Sequence, residues 1–287
     1  MLLSTRMKLR IIHTTEYRYA SPVSGNSNEL RLTPVESRWQ QVPFFLLRIL
    51  PSTRLRRFQD FYGNTINYFE IEEPHTQLII EATSSIITKD RYAEGEPNPV
   101  PVHALNGADV DGRLQPFLQP SGPVEIAPEI WRAAVDVRAE HDDVFALAKG
   151  LMDYVYRTCT YAAGVTNVHT TTTQFFEGRS GVCQDFSHLL LALCRSLLLP
   201  ARYVSGYVYD AKRKDIRGAH ASHAWVEVWV PGSGWHGLDP TNNCLTHEHY
   251  VVVAIGRDYE DIAPVKGSFW GGGEREMLVS VHIEERV

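Results

Sequence analysis

The hydrophobic positions of this chain follow two periods, and the change between them comes near residue 140. In the first ninety residues apolar and polar side chains alternate weakly. Leu9, Ile11 and His13 stand against Arg10, Ile12 and Thr14, and Tyr17 and Tyr19 continue the odd positions. A second apolar run, 44–50, lies between Pro43 and Pro51, and Leu78, Ile79 and Ile80 followed by Ile86 and Ile87 make a third. Tyr62-Gly63-Asn64-Thr65 between two aromatic runs reads as a hairpin turn. No helical period competes here, so residues 1–93 are expected to form a β-rich N-terminal domain.

Residues 94–128 carry seven of the 16 prolines, at 97, 99, 101, 116, 120, 123 and 128. Proline removes the donors that helices and ladders need, so this stretch reads as a connector draped over the surface. Helical spacing starts after it: Val144, Leu147, Ala148, Leu151, Met152 and Val155 lie on one stripe, with Asp142 as the expected N-cap. Thr171 and Gln174 fit a capping box ahead of a short helix through Phe175 and Phe176. A third helix carries Phe186, Leu189, Leu190, Leu193, Cys194 and Leu197 and is stopped by Pro200. Strands are then expected over 202–210, 222–230, 235–239 and 250–255, the middle two joined by Pro231-Gly232-Ser233-Gly234. The expected organisation is an α+β protein: the N-terminal β domain, the connector, a core over 129–270, and a tail over 271–287 that forms a strand.

The composition is that of a globular protein: 44% hydrophobic and 22% charged, with 28 basic and 34 acidic residues for a net charge of −6. That balance argues against a broad nucleic-acid surface, although Arg54, Arg56 and Arg57 form a local basic patch. No apolar run approaches the roughly 20 residues that span a bilayer, and no export signal is evident near the start. No nucleic-acid or membrane partner is therefore expected, and the expected location is cytoplasmic. The four cysteines, at 159, 183, 194 and 244, have no zinc spacing and are read as free thiols in a reducing compartment.

One of the four has a setting of its own. Cys183 opens the third helix, where unpaired N–H groups and the positive end of the helix dipole favour thiolate, the form that attacks. His223 opens a strand whose even positions, Ala224, Val226, Val228 and Val230, make a core face; its own face carries Trp225, Glu227 and Trp229, a half-exposed setting suited to a general base. Asp239 ends the next strand and would fix the tautomer of a nearby imidazole. Each has a plainer reading: a packed cysteine, a surface histidine, a turn-forming Asp before Pro240. Together they form a nucleophile, base and orienter set. Their meeting depends on hairpin register. If paired positions sum to 465, Asp239 faces Val226, away from His223, and Glu227 becomes the next candidate. If they sum to 464, as an odd loop or a bulge allows, Asp239 faces Trp225, diagonal to His223 on its face.

At these residues the chain resembles the bacterial transglutaminase-like family, which includes candidate cysteine proteases. Gly181-Val182-Cys183-Gln184-Asp185-Phe186 looks like the family's nucleophile motif, and Pro200 through Tyr207 like the strand after it. Ser222-His223-Ala224-Trp225-Val226-Glu227 is similar to the His motif, Gly234-Trp235 through Asp239-Pro240-Thr241 to the Asp motif, and Gly256-Arg257-Asp258-Tyr259 with Asp261 and Pro264 to a later signature. The first ninety residues resemble the family's N-terminal β domain. The resemblance implies a papain-like core with Cys183, His223 and Asp239 as catalytic residues. It implies no cofactor and no metal. The expected activity is acyl transfer from an amide or peptide bond of a peptide or protein substrate through an acyl-enzyme, with water or an amine as acceptor. The rival readings are an acyltransferase with a thioester donor and a non-catalytic binding module.

The remaining candidates have more modest expectations. The N–H of Cys183 is one oxyanion donor, and Gln174, Gln184 and Trp225 are open choices for a second. His220 and His223 point to opposite faces of a strand and do not share a metal; His247 and His249 share a face but make an incomplete site. No acidic calcium loop is present. Glycines 271–273 read as a turn. Trp225, Trp229, Trp235 and Trp270 are candidates for a substrate groove. Asp185 reads as a first-turn dipole partner and Cys194 as core.

Overall fold

The computed structural model describes residues 6–106, 112–210 and 222–286. One long strand, β1 (Arg6–Leu30), organises the N-terminal half. β2 (Gln40–Leu50), β3 (Arg56–Gln59), β4 (Thr65–Ile71) and β5 (His75–Lys89) join it in the order β2-β5-β1-β4-β3. The first part of β1 pairs with β5, from Arg6↔Lys89 to Arg18↔Gln77, and its last part pairs with β4. β3 and β4 form the hairpin expected around Gly63, which takes φ 83° at the turn.

The connector contains two 3-10 turns, and it does more than drape. Leu114, Phe117 and Val124 are buried, and Pro123 accepts the N–H of Thr172 at 2.9 Å. Helix α1 (Pro128–Arg138) follows, an element the periodicity left out because among its side chains only Ile130 and Ala134 are buried. Helix α2 (Val144–Thr158) is capped by Asp143, whose carboxylate accepts from the N–H of Ala146, rather than by Asp142. Then come β6 (Thr160–Tyr161), α3 (Thr172–Gly178), β7 (Ser180–Gly181) and α4 (Cys183–Ser196). The capping box at Thr171 and Gln174 is present.

The core sheet is antiparallel: β8 (Ala201–Val208), β9 (His223–Val230), β10 (Gly234–Asp239), β11 (Cys244–Leu245) and β12 (Tyr250–Gly256), in the order β11-β10-β9-β8-β12. Helices α1, α2 and α4 cover one face, packing on Ala201, Tyr203, Ala224, Val226, Val228 and Val230. Helices on one face of an antiparallel sheet make the α+β class expected. After α5 (Tyr259–Ile262) the chain leaves this layer. β13 (Val265–Gly271) and β14 (Arg275–Glu285) both pair with β1, joined through Gly271, Gly272 and Gly273, all at positive φ. The strand expected in the tail is there, but the boundary at 270 does not divide the sheets: both strands belong to the N-terminal sheet.

The N-terminal half also packs against the core sheet at β8 and β12, and this ties the two halves together. Leu9, Ile11 and Ile86 pack against Tyr207, Val251 and Val253. His13 bonds the Tyr207 hydroxyl through Nδ1 at 2.8 Å, and burial pushes its imidazole down to about 4. β12 is an edge strand whose outward backbone groups would otherwise be open to pairing. Two buried side-chain amides close it. Gln40 accepts from the N–H of Val252 and donates to its carbonyl, both at 2.8 Å. Asn64 does the same for Ile255 at 2.8 and 2.7 Å. Each amide stands where a neighbouring strand's peptide would stand.

Asn64→Ala is therefore expected to destabilise the whole chain by about 2–4 kcal/mol, because both backbone groups of Ile255 lose their partners in a buried setting. Urea denaturation of wild type and variant measures this. A loss under about 1 kcal/mol would mean that water replaces the amide at no cost.

Candidate functional site

Helix α4 begins where three constraints meet. Asp185, in its first turn, is buried and accepts the N–H of Val182 at 2.8 Å and the hydroxyl of Thr166 at 2.7 Å. Valine has no side-chain acceptor, so Asp185 supplies half of a capping box and satisfies a donor ahead of the helix. Burial pushes its carboxyl up, against the hydrogen bonds that pull it down. Gly181 must be glycine because a Cβ there would stand 2.4 Å from the Asp185 carboxylate. This places Cys183, half-buried, as the first helical residue. Its N–H belongs to the first turn, which has no intrahelical acceptors.

The β9–β10 hairpin has the register that brings Asp239 to His223. Val230 pairs with Gly234 and Val226 with Leu238, so paired positions sum to 464 and Asp239 falls level with Trp225. The loop has three residues, 231–233, and Gly232 and Gly234 supply φ of 76° and 88°. His223 Nε2 lies 2.7 Å from Asp239 Oδ2, and both side chains are fully buried. Glu227 is not a competitor, because Arg202 holds it at 2.7 Å.

His223 is thus not half-exposed. The face it shares with Trp225 was expected to meet solvent, but Val204, Val208, Tyr250 and Ile255 pack there, and Trp39, Gln40 and Thr88 of the N-terminal half line the space beside Trp225 and Tyr250. Burial by itself pushes the imidazole down. The charge and hydrogen bond of Asp239, helped by Cys183, outweigh it and raise the group to about 10. Nε2 is taken by Asp239, and Nδ1 is the ring nitrogen left open, with no hydrogen-bond partner among the described residues; Cys183 nonetheless contributes to raising the imidazole.

Asp239 receives five hydrogen bonds. Oδ1 accepts the N–H groups of Thr241 and Asn242 at 2.9 and 3.3 Å; Oδ2 accepts from His223, from the Asn242 amide at 2.8 Å and from the Tyr250 hydroxyl at 2.8 Å. Burial opposes the charge, but His223, Asn242 and Tyr250 hold the carboxyl below its ordinary value. The turn N–H groups fall on Oδ1, whereas His223, Tyr250 and the Asn242 amide share Oδ2. Tyr250 escaped the sequence analysis because nothing in a tyrosine that opens an apolar strand announces a buried acceptor; Asn242 escaped it inside a turn.

The other candidates separate from this centre. Cys194 is fully buried and burial pushes its thiol up to about 12; Cys244 contacts the Tyr250 hydroxyl at 3.2 Å and is pushed up to about 11. Gln184 donates to the carbonyl of Val168, and Gln174 spends its oxygen on the capping box. The indole N–H of Trp225 has no partner among the described residues. Trp225 packs edge-on against Tyr250 at 5.3 Å, Trp229 and Trp235 pack together at 5.5 Å, and Trp270 stands 79% exposed on the N-terminal sheet, so the four form no common groove. His220 lies outside the described residues. The later signature braces α4: Arg257 pairs with Asp261 at 2.8 Å, Asp258 caps α5, and the N–H of Tyr259 meets His188 Nε2 at 3.2 Å.

The raised imidazole and lowered carboxyl fix the sign of a pH effect. Stabilisation from the charged His223 is complete below the ordinary histidine value of 6.5 and is lost as pH rises towards about 10. That from charged Asp239 is present above the ordinary carboxyl value of 3.8 and is lost as pH falls through its lowered one. Wild type should therefore exceed His223→Gln in unfolding free energy most at pH 5–6, about 2 kcal/mol or more, with the gap narrowing steadily to pH 10. Denaturant titrations at pH 6, 8 and 10 measure the gap; a gap that is flat or widens would show that the histidine is neutral in the fold.

With this geometry in place, the comparisons with known proteins fall on both halves of the chain. Residues 9–87 match the model of the bacterial transglutaminase-like N-terminal region, and residues 132–240 match that of the transglutaminase-like superfamily. An uncharacterised protein of Mycobacterium leprae is 33% identical over 96% of this chain and 98% of its own length, and one of Mycobacterium tuberculosis is 34% identical over 98% and 94%. A protein-glutamine gamma-glutamyltransferase of Pseudomonas aeruginosa is 29% identical over 56% of this chain, a match that spans only 25% of that enzyme. Among solved structures, a Cytophaga hutchinsonii protein with a provisional assignment as a cysteine protease superposes with TM-score 0.79 at 26% identity, covering 98% of this chain and 91% of that one. The chain belongs to the transglutaminase-like superfamily, and carries that superfamily's core behind its bacterial N-terminal region.

Proposed function

We propose that this protein is a cysteine-dependent acyl-transfer enzyme acting on an amide bond of a peptide or protein, with Cys183 as nucleophile, His223 as acid and base, and Asp239 as the group that orients His223. The observation that carries this reading is the 2.7 Å bond between buried His223 and Asp239, with Cys183 acting on the same imidazole from a helix start. A buried histidine with a packing role alone has no need of a five-fold bonded carboxylate behind it.

The steps follow from these positions. The Cys183 sulfur, its proton already held on His223 Nδ1, attacks the carbonyl carbon as thiolate. The charge that develops on the carbonyl oxygen meets the N–H of Cys183 at the positive end of α4. Collapse breaks the C–N bond, and His223 returns the proton to the departing amine, leaving a thioester. Water or a second amine then adds to the thioester, gives its proton to His223, and the thiol leaves reprotonated. Asp239 keeps Nε2–H in place throughout, so that Nδ1 faces the sulfur. The acceptor decides between hydrolysis and transamidation. The transferase name of the Pseudomonas aeruginosa relative fits an amine, and the assignment of the Cytophaga hutchinsonii protein fits water.

Incubation with a peptide library, with and without a primary amine, read by mass, is the direct test. Cys183→Ala should abolish turnover and leave the melting temperature within a few degrees, since it removes one half-buried sulfur. Cys194→Ala should retain turnover at the cost of a small core cavity. Iodoacetamide should label Cys183 at pH 6 about a hundredfold faster in wild type than in His223→Ala, the lower end of what a positioned base contributes. Turnover that survives Cys183→Ala and is lost in Cys194→Ala would move the nucleophile; turnover that survives both would end the cysteine reading.

A further inference from the structure

The turn that leads into β12 brings together a second set of chemistry-bearing side chains, and the proposed reaction does not use them. His247 and His249 were expected to make an incomplete pair. The chain turns at this point, with the N–H of Tyr250 bonded to the carbonyl of His247 at 3.0 Å, so the strict alternation of a strand does not hold and Glu248 joins them. Each of the three offers a ligand atom, all three side chains are half-buried, and the ligand atoms lie within 4.8 Å of one another. Ligands of a tetrahedral zinc stand about 3.4 Å apart, by its bond lengths of roughly 2.1 Å, so modest rotation of half-exposed side chains closes the set.

A second observation sets the chemistry of the pair. His249 Nδ1 lies 3.0 Å from the carbonyl of Tyr209. A carbonyl only accepts, so Nδ1 carries the proton and Nε2 presents its lone pair. This is the support that metal-bound histidines receive from a neighbouring carbonyl. The His247 ring stands 4.7 Å from that of His249, and its Nδ1 is 3.7 Å from the Glu248 carboxylate. Two imidazoles and one carboxylate suit zinc-class transition ions, and they do not suit calcium or magnesium, which take oxygen ligands.

We propose that His247, Glu248 and His249 form a binding site for a divalent zinc-class ion. The site is separate from Cys183 but adjoins its support: the His247 ring packs edge-on against Tyr250 at 5.3 Å, and the Tyr250 hydroxyl holds Asp239. An ion here ties down the turn immediately before that tyrosine.

The test uses the full chain carrying Cys183→Ala, which removes the competing thiol and makes the outcome independent of any enzymatic activity. Co2+ is titrated in and its visible ligand-field bands are followed, then Zn2+ is added. One equivalent of Co2+ should bind with bands of nitrogen and oxygen ligation, Zn2+ should displace it, and thermal unfolding should shift upward on loading. Adding His249→Ala or Glu248→Gln should weaken binding at least about tenfold and remove the shift. Should His249→Ala not fold, Glu248→Gln decides, since it keeps the shape of the half-buried side chain. Absence of binding to the Cys183→Ala chain, or equal affinity in the folded variants, overturns the site.

Discussion

A carboxylate taken wholly out of water is the constraint from which most of this structure follows. An ionised Asp239 at zero exposure is tolerable only if its lone pairs are filled, and five donors fill them. Those donors come from the strand before it, the turn after it and the strand beyond. β9, β10, the 240–243 turn and the start of β12 therefore have to arrive in one arrangement. The hairpin loop of three residues is part of this requirement, because a slip of one position would turn Asp239 towards the helix face and leave a charge in an apolar layer. What folds the sheet in register and what positions His223 are the same interaction.

The N-terminal half belongs to the same chain of dependence. β12 carries Tyr250 at one end, and it is an edge strand whose remaining backbone groups are held by Gln40 and Asn64. A side-chain amide can imitate a peptide in both donor and acceptor, yet it ends there, so the sheet is closed to further strands without being extended. β13 and β14 then return to β1, which makes the N-terminal sheet depend on the last residues of the chain as well as the first. Two amides and the packed layer of Leu9, Ile11 and Ile86 on Tyr207, Val251 and Val253 hold the N-terminal half against β12.

Local patterns made much of this legible. The capping box at Thr171, the helix from Cys183 and the hairpins at Gly63 and Gly232 all rest on residues whose preferences act over a few positions, whereas the register of the second hairpin stayed open between two sums. What was not legible depends on partners far away in the chain. His223 read as half-exposed because its strand shows one greasy face and one mixed face, and only the distant cover of the N-terminal half turns the mixed face inward. Helix α1 has too narrow an apolar stripe to register, and Asp142 and Asp143 are equal as caps until the chain direction chooses one. The glycines of the resembling motifs show the same limit. Gly206 has no turn to make, yet a Cβ there would stand 2.0 Å from the Val251 carbonyl and 2.6 Å from the Trp225 ring, so it is a clearance required by two other strands.

If Asp239 orients His223 as proposed, it has a double duty that bears on how a loss of turnover in its variants has to be read. Removing its carboxylate would strand the N–H groups of Thr241 and Asn242 along with His223, so a fall in turnover would mix a lost orienter with a disordered turn. Oδ1 carries only backbone turn bonds, while His223 and Tyr250 meet Oδ2 beside the Asn242 amide, which allows part of the two contributions to be separated. Tyr250→Phe touches only Oδ2 and leaves the turn bonds on Oδ1 in place. A change of that kind reports on the imidazole's support, whereas a change at the aspartate reports first on whether β10 still ends where it should.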